Sequence, residues 1–232
     1  MSFNIFLSPE GRLKDLEYAQ EAANLGSTSC GIKTKDFIFI LSERKKKKSL
    51  DYLNDQKIYV LDKNKGCCVS GLISDSRKII DNVRIYCENK YFLINSYPSI
   101  EECSNLINNL ITSYNTNNDV NKISPRPLGT SFLLFGKSNK KLELIKVDPS
   151  GRYIKDKILA IGEGSKDVLI ILQEGYRSNM KKIEAKTLAF KTLRAISESI
   201  LNEKNVEAAQ ISESNTLRIL FKEEINQILK LI

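Results

Sequence analysis

With 232 residues, 41% of them hydrophobic and 28% charged, the chain has ordinary globular composition and the length for one large domain or two small ones. It contains no histidine, which excludes Ser-His and Cys-His nucleophile arrangements, and its five cysteines include no C-x-x-C pair, which argues against a zinc site. A formal net charge of +8 raises the question of nucleic acid, yet much of the excess sits in the run Arg44 to Lys48, where no aromatic residue offers a stacking platform. That run reads as a solvated loop, with nuclear import or an acidic partner as alternative uses of Lys45 to Lys48.

Apolar runs such as Val168 to Leu172 are too short to span a bilayer. The opening Met1-Ser2-Phe3-Asn4 lacks the basic stretch and apolar block of a secretory signal. A cytoplasmic and nuclear location is therefore expected. In that setting Cys30, Cys67, Cys68, Cys87 and Cys103 read as reduced, small core residues, and the adjacent Cys67 and Cys68 would point to opposite faces of a strand.

In chain order, Ser8-Pro9-Glu10 predicts a helix start: Ser8 can cap, Pro9 suits the first helical position, and Glu10 complements the positive terminus. Leu13, Leu16, Ala19 or Gln20, and Ala23 recur at helical spacing, and Gly26 ends the segment. Ser27 to Ile32 and Phe37 to Leu41 predict a strand hairpin turning at Lys35-Asp36. A second hairpin is expected from Lys57 to Leu61 and Cys67 to Ser70. Two helices follow, one with the stripe Ile79, Ile80, Val83 and Cys87, the other, after Pro98, with Cys103, Leu106, Ile107, Leu110 and Ile111. The polar stretch Asn115 to Asn121 reads as a loop.

Strands are expected again at Thr130 to Phe135, Leu142 to Val147, Tyr153-Ile154 and Leu159 to Ile161, with Asp148-Pro149-Ser150-Gly151 as a turn. Helices over Ser165 to Tyr176 and Ile183 to Leu201 precede a strand pair, Val206 to Ile211 and Leu217 to Leu220, and a last helix over Glu223 to Leu231. Strands in groups separated by helix pairs imply an α+β fold, one domain of two stacked antiparallel sheets with helices outside.

The segments carry a family pattern. Leu7-Ser8-Pro9-Glu10-Gly11-Arg12-Leu13 with Leu16-Glu17-Tyr18-Ala19 resembles the leading helix of proteasome alpha-type subunits, F-S-P-x-G-R-L-x-Q-V-E-Y-A, with Leu7, Asp15 and Leu16 as departures. Leu25-Gly26-Ser27-Thr28, Ser70-Gly71-Leu72-Ile73-Ser74-Asp75-Ser76-Arg77, Arg126-Pro127-Leu128-Gly129, Asp148 to Gly151, Ala160-Ile161-Gly162-Glu163-Gly164 and Asn205-Val206-Glu207 match further family motifs in order. Tyr18 to Ala22 and Ile161 to Val168 look most like the fourth alpha position of eukaryotic rings, with the fifth as the second choice.

The resemblance implies a four-layer αββα sandwich of the N-terminal-nucleophile hydrolase type with an extra N-terminal helix. It divides the single domain of residues 1–232 into a short gate tail (1–7), the leading helix (8–25) and the sandwich (26–232). It also implies a non-catalytic subunit of a threonine-protease complex that acts in ubiquitin-dependent protein degradation without a cofactor or metal. The implied partners are neighbouring alpha subunits in a seven-membered ring, the beta ring, and a regulatory particle or other activator, with no membrane and no nucleic acid.

Catalytic beta subunits of the family use an N-terminal threonine whose free amine is the base, supported by a carboxylate and a lysine. On that pattern Ser27 stands at the nucleophile position, Glu43 at the carboxylate and Lys57 at the lysine. Ser27 is preceded by a whole helix, however, so its nitrogen is an amide without a basic lone pair. A stand-alone N-terminal-nucleophile amidohydrolase would need processing at Ser27 or Thr28, and a basic nucleic-acid-binding module remains the third reading. By resemblance, Pro9 and Tyr18 match positions that hold the gate tail, in which Phe3-Asn4 stands for Tyr-Asp. Lys57, fourteen positions before Gly71, matches the pocket with Gly71 and Leu72 that receives C-terminal tails of regulatory ATPases. A lysine ammonium suits a terminal carboxylate, and a glycine permits close backbone approach. Otherwise Pro9 is a helix starter, Tyr18 a core residue, and Lys57 the partner of a neighbouring carboxylate.

Overall fold

Phe37 to Glu43 is buried at every position, the pattern of a strand covered on both faces, and its alternation separates two cores. Phe37, Phe39 and Leu41 pack into one cluster with Phe190, whereas Ile38 and Ile40 pack into another with Leu133 and Phe135. A computed structural model describes residues 8–44, 56–115, 126–138, 141–214 and 216–230, and shows how this arises.

The first helix, α1 (Lys14–Asn24), is followed by strands β1 (Ser29–Lys33), β2 (Phe37–Glu43), β3 (Ile58–Asp62) and β4 (Lys65–Gly71). Helices α2 (Ile73–Ile94) and α3 (Ile100–Asn115) lead to β5 (Thr130–Ser138), β6 (Lys141–Val147), β7 (Tyr153–Lys155) and β8 (Ile158–Ile161). The chain then runs through α4 (Ser165–Gly175), α5 (Lys182–Ile196), β9 (Val206–Ser212), β10 (Arg218–Ile219) and α6 (Lys222–Lys230). This element order is the expected one. One antiparallel sheet has the order β10-β9-β2-β1-β8 and the other β3-β4-β5-β6-β7.

Four layers result. Ile38, Ile40, Cys68, Leu133 and Leu144 fill the space between the sheets. The α2 stripe Ile79, Ile80, Val83 and Cys87, with Cys103, Ile107 and Ile111 of α3, covers the second sheet against Cys67, Phe132 and Leu134. Val168 and Leu172 of α4, with Ala185, Ala189, Phe190 and Leu193 of α5, cover the first. Cys67 and Cys68 do face opposite layers, and all five cysteines are buried and form no disulfide with one another. Each fully buried Phe or Ile here contributes about 1.5–3 kcal/mol, so three such clusters dominate the fold's stability.

Two boundaries are displaced from expectation by about a turn or more of helix. The first helix begins at Lys14, because Ser8 to Arg12 closes into a turn: Gly11 N–H donates to the Ser8 carbonyl at 2.8 Å, and the Ser8 hydroxyl accepts the Arg12 N–H at 3.1 Å. Gly11 sits at φ +75°, outside the right-handed helix. The fifth helix stops at Ile196 rather than Leu201, since the Ser197 and Ser199 hydroxyls donate to Glu43 Oε1 at 2.6 and 3.2 Å and leave the helical path. Residues 1–7, Lys45 to Lys48 and 116–125 lie outside the described residues.

The sheets are also joined by a carboxylate. Glu207 on β9 accepts the N–H groups of Lys57 and Ile58 with Oε2, at 2.9 and 3.0 Å, and pairs through Oε1 with Arg44 at 3.0 Å. It thereby caps the start of a strand in the opposite sheet. Glu207→Ala leaves these two donors unpaired and is expected to lower unfolding free energy by about 2–3 kcal/mol, read from the denaturant midpoint. A loss within error of zero would show that water replaces the clamp.

Candidate functional site

The end of the sandwich beneath the first helix gathers several of the sequence motifs. Asp75, at the start of α2, accepts both Arg126 guanidinium nitrogens, at 2.9 and 3.0 Å, and the Gly129 N–H at 3.1 Å. Leu72 N–H donates to the Gly129 carbonyl at 2.9 Å, and the Ser70 hydroxyl to the Ala23 carbonyl at 2.9 Å. Glu163 N–H donates to the Gly26 carbonyl at 2.9 Å and Gly164 N–H to the Thr28 hydroxyl at 3.1 Å. Residues that seemed separate in sequence are thus a single set of backbone clamps around α1 and the start of β1.

Gly71 is the tightest point. Its φ is +102°, and a Cβ there would lie 2.2 Å from the Gly129 carbonyl oxygen and 2.8 Å from Ala23 Cα. Only glycine lets β4, β5 and the helix meet so closely. Ala19 and Ala23 form the buried face of α1, small enough for that approach. Its expected apolar stripe is therefore narrower than predicted: Leu13 and Leu16 are half-buried, while Arg12 and Lys14 are exposed.

Tyr18 is not core; it is 69% exposed on the outer side of the helix. With Ala22, exposed Leu72, Pro127 and Gly129 it lines a groove of about 500 Å³. The structure thus brings together Tyr18 and Leu72, residues whose expected roles are separate. Pro9 is exposed in the Ser8–Arg12 turn and does not line this groove. Lys57 is buried at the entry to β3, where its carbonyl accepts the Val69 N–H, two residues before Gly71 on β4. The nearby Glu207 carboxylate, which holds the Lys57 backbone, belongs to the Asn205-Val206-Glu207 motif, but its pairing leaves no local sequence signal because Lys57 and Ile58 are about 150 residues away.

The positions matched to a catalytic subunit do not assemble. Glu43 faces the helix side of the first sheet, held by Ser197 and Ser199, and lines a cavity of about 730 Å³ with Thr28, Gly164 and Asp167. The Ser27 hydroxyl is buried with no hydrogen-bond partner among the described residues, and its amide continues from α1 through Gly26. Between the sheets, Ser29 and Ser42 hydroxyls share a hydrogen bond at 2.7 Å instead. Burial pushes the Cys30 thiol up to about 12 and Cys68 to about 11, so neither is a thiolate nucleophile near neutral pH.

Residues 23–211 match the family model described as proteasome subunit. The chain is 34% identical to proteasome subunit alpha type-5 of Drosophila melanogaster over 96% of its length and 93% of that protein. It is 34% identical to the alpha type-5 subunit of Trypanosoma brucei brucei, covering 96% and 91% of the two chains. The probable alpha type-5 subunit of Schizosaccharomyces pombe is also 34% identical, covering 94% and 89%. These matches correct one expectation: likeness to the fourth alpha position is not supported, and the type-5 name was the second choice. The misleading segments, Tyr18 to Ala22 and Ile161 to Val168, lie at the clamp or on α4 and are short beside a match over nearly the whole chain.

Gly71→Ala forces a Cβ into the Gly129 carbonyl, and a loss of at least about 3 kcal/mol in unfolding free energy is expected. Cleavage by trypsin at Arg12 and Lys14 should accelerate as the helix lifts. Wild-type stability together with wild-type cleavage would refute the close-packing account.

Proposed function

Because the chain belongs to the proteasome subunit family, we propose that it is a non-catalytic alpha subunit of type-5 character in the seven-membered ring that closes the proteolytic core particle. The observation that carries this reading is α1 locked onto β4 and β5 at Gly71 and Gly129. With that helix retained, Ser27 has no free amine, and Glu43 is engaged elsewhere. The subunit contributes a wall and a surface, not a nucleophile. Its neighbours are other alpha subunits and the beta ring, and its setting is ubiquitin-dependent degradation in cytoplasm and nucleus.

In the same proposal the groove side of the subunit serves the gate and activators. Tyr18 and Pro9 support the gate tail, and Lys57, Gly71 and Leu72 form the pocket for an activator's C-terminal tail. Exposed Leu72 offers an apolar contact at the groove, and Lys57, buried at the entry to β3 and not among the residues lining the groove, is the charge assigned to a terminal carboxylate.

Native purification should recover the chain at its unprocessed mass within a particle many times its own 26.3 kDa. A monomer of that mass in native extract would sink the ring assignment, and a species beginning at Ser27 or Thr28 would favour the amidohydrolase. Lys57→Ala should leave the ring assembled and reduce crosslinking of activator tails into this pocket. A charge-assisted contact of about 1.5–3 kcal/mol is being removed, although tails in other pockets keep the partner bound through effective concentration. Equal crosslinking in both proteins would give Lys57 only a local structural role.

A further inference from the structure

On the far side of the first sheet, Lys182 and Lys186 stand one turn apart on α5, and both reach the same ring. Their ammonium nitrogens lie 5.7 and 5.8 Å from the Phe37 centroid, and Lys186 is also 5.8 Å from that of Phe39. The two rings are stacked at 6.2 Å and form a rigid platform at the edge of the core. Like charges four residues apart on a helix repel each other, and the negative ring face offsets part of that repulsion. Arg218 of β10 supplies a third cation, and Ser212, Ser214 and Thr216 add hydroxyls around a cavity of about 670 Å³.

No acidic residue is among the described residues that line this cavity. Glu224 of α6 reaches it from the side: it pairs with Arg218 and also accepts the Phe221 N–H at 3.0 Å. Among the lining residues and their ion-paired neighbour, three cations meet one carboxylate, with Glu213 and Asp36 adjacent in the chain to lining residues. Burial holds the Lys186 ammonium below the usual lysine range, with Arg218 and Lys182 lowering it further against the raising effect of Glu224. The volume falls in the range of small-ligand sites, and the cations converge on one cavity rather than tracking along a groove as they would for a nucleic-acid backbone.

We propose that this cavity binds a small polyphosphorylated molecule, whose phosphoryl groups pair with Lys182, Lys186 and Arg218 and whose polar body meets the Ser212, Ser214 and Thr216 hydroxyls. Phosphoryl oxygens match both the ammonium groups and the guanidinium fork.

The test is calorimetric titration of the full chain with inorganic pyrophosphate at about 0.15 M salt, where weak surface electrostatics are largely screened. Saturable one-to-one binding is expected, weakened at least about tenfold by Lys182→Gln and by Lys186→Gln. Lys78→Gln serves as control, since Lys78 also sits over a ring, that of Tyr114 at 5.3 Å, outside the cavity. In the wild-type chain, pyrophosphate should also protect Lys182 and Lys186 from acetylation, a readout that needs no variant to fold. Absence of saturable binding, equal weakening by the control, or no protection would each overturn the proposal. Binding of a phosphoserine peptide but not of pyrophosphate would overturn it in favour of a protein ligand. None of these outcomes bears on ring assembly.

Discussion

The contact between the first helix and the glycines at the end of the second sheet sets the character of this molecule. Gly71 adopts a backbone conformation closed to other residues, and its missing side chain lets Ala23 and the Gly129 carbonyl come within contact. Ser70, Leu72 and Asp75 then convert close approach into hydrogen bonds to Ala23 and Gly129. The helix cannot leave its position without breaking this set. Chemistry follows from packing: with the helix in place, the first strand begins from an amide and not from an amine.

The sandwich is joined along its edges as well as through its core. Glu207 crosses from β9 to the start of β3, and Lys146 Nζ crosses from β6 to the Ala160 carbonyl on β8 at 3.1 Å. Apolar packing between sheets is non-directional. Polar bridges of this kind fix register and offset, because each is productive in one alignment. Burial lowers the Lys146 pKa, the expected direction for an ammonium taken from water, and the Asp148 carboxylate opposes part of that shift.

The groove, the Glu43 cavity and the Lys182–Lys186 cavity are lined by different residues, although β2 and α5 contribute to both of the latter two. The groove borders α1, and the Glu43 cavity has its carboxylate committed to the two serines that follow α5. The third is bounded by aromatic rings of the core, so its lysines are held by the same packing that stabilises the first sheet. The groove, the committed Glu43 carboxylate and the proposed anion site therefore use separate side chains.

Much of this architecture was legible in the chain itself. Unbroken apolar runs such as Phe37 to Leu41 marked strands buried on two sides, the stripe Ile79–Cys87 marked a helix face, and adjacent cysteines marked two layers. These are local periodicities, and local periodicity is written in neighbouring residues. The ordered motifs identified the family because each encodes a turn or a clamp with its own residue demands. What tertiary structure decided was which distant groups meet. Tyr18, for which a core position was one expectation, lies exposed on the groove with Leu72, while Glu43 turned toward Ser197 rather than Ser27. The first helix started late because Ser8 and Gly11 closed a turn, and the fifth stopped early because two serines found a carboxylate more than 150 residues away. Side-chain partners at such separations leave no pattern along the chain, since only the stacking of sheets brings them within hydrogen-bond reach.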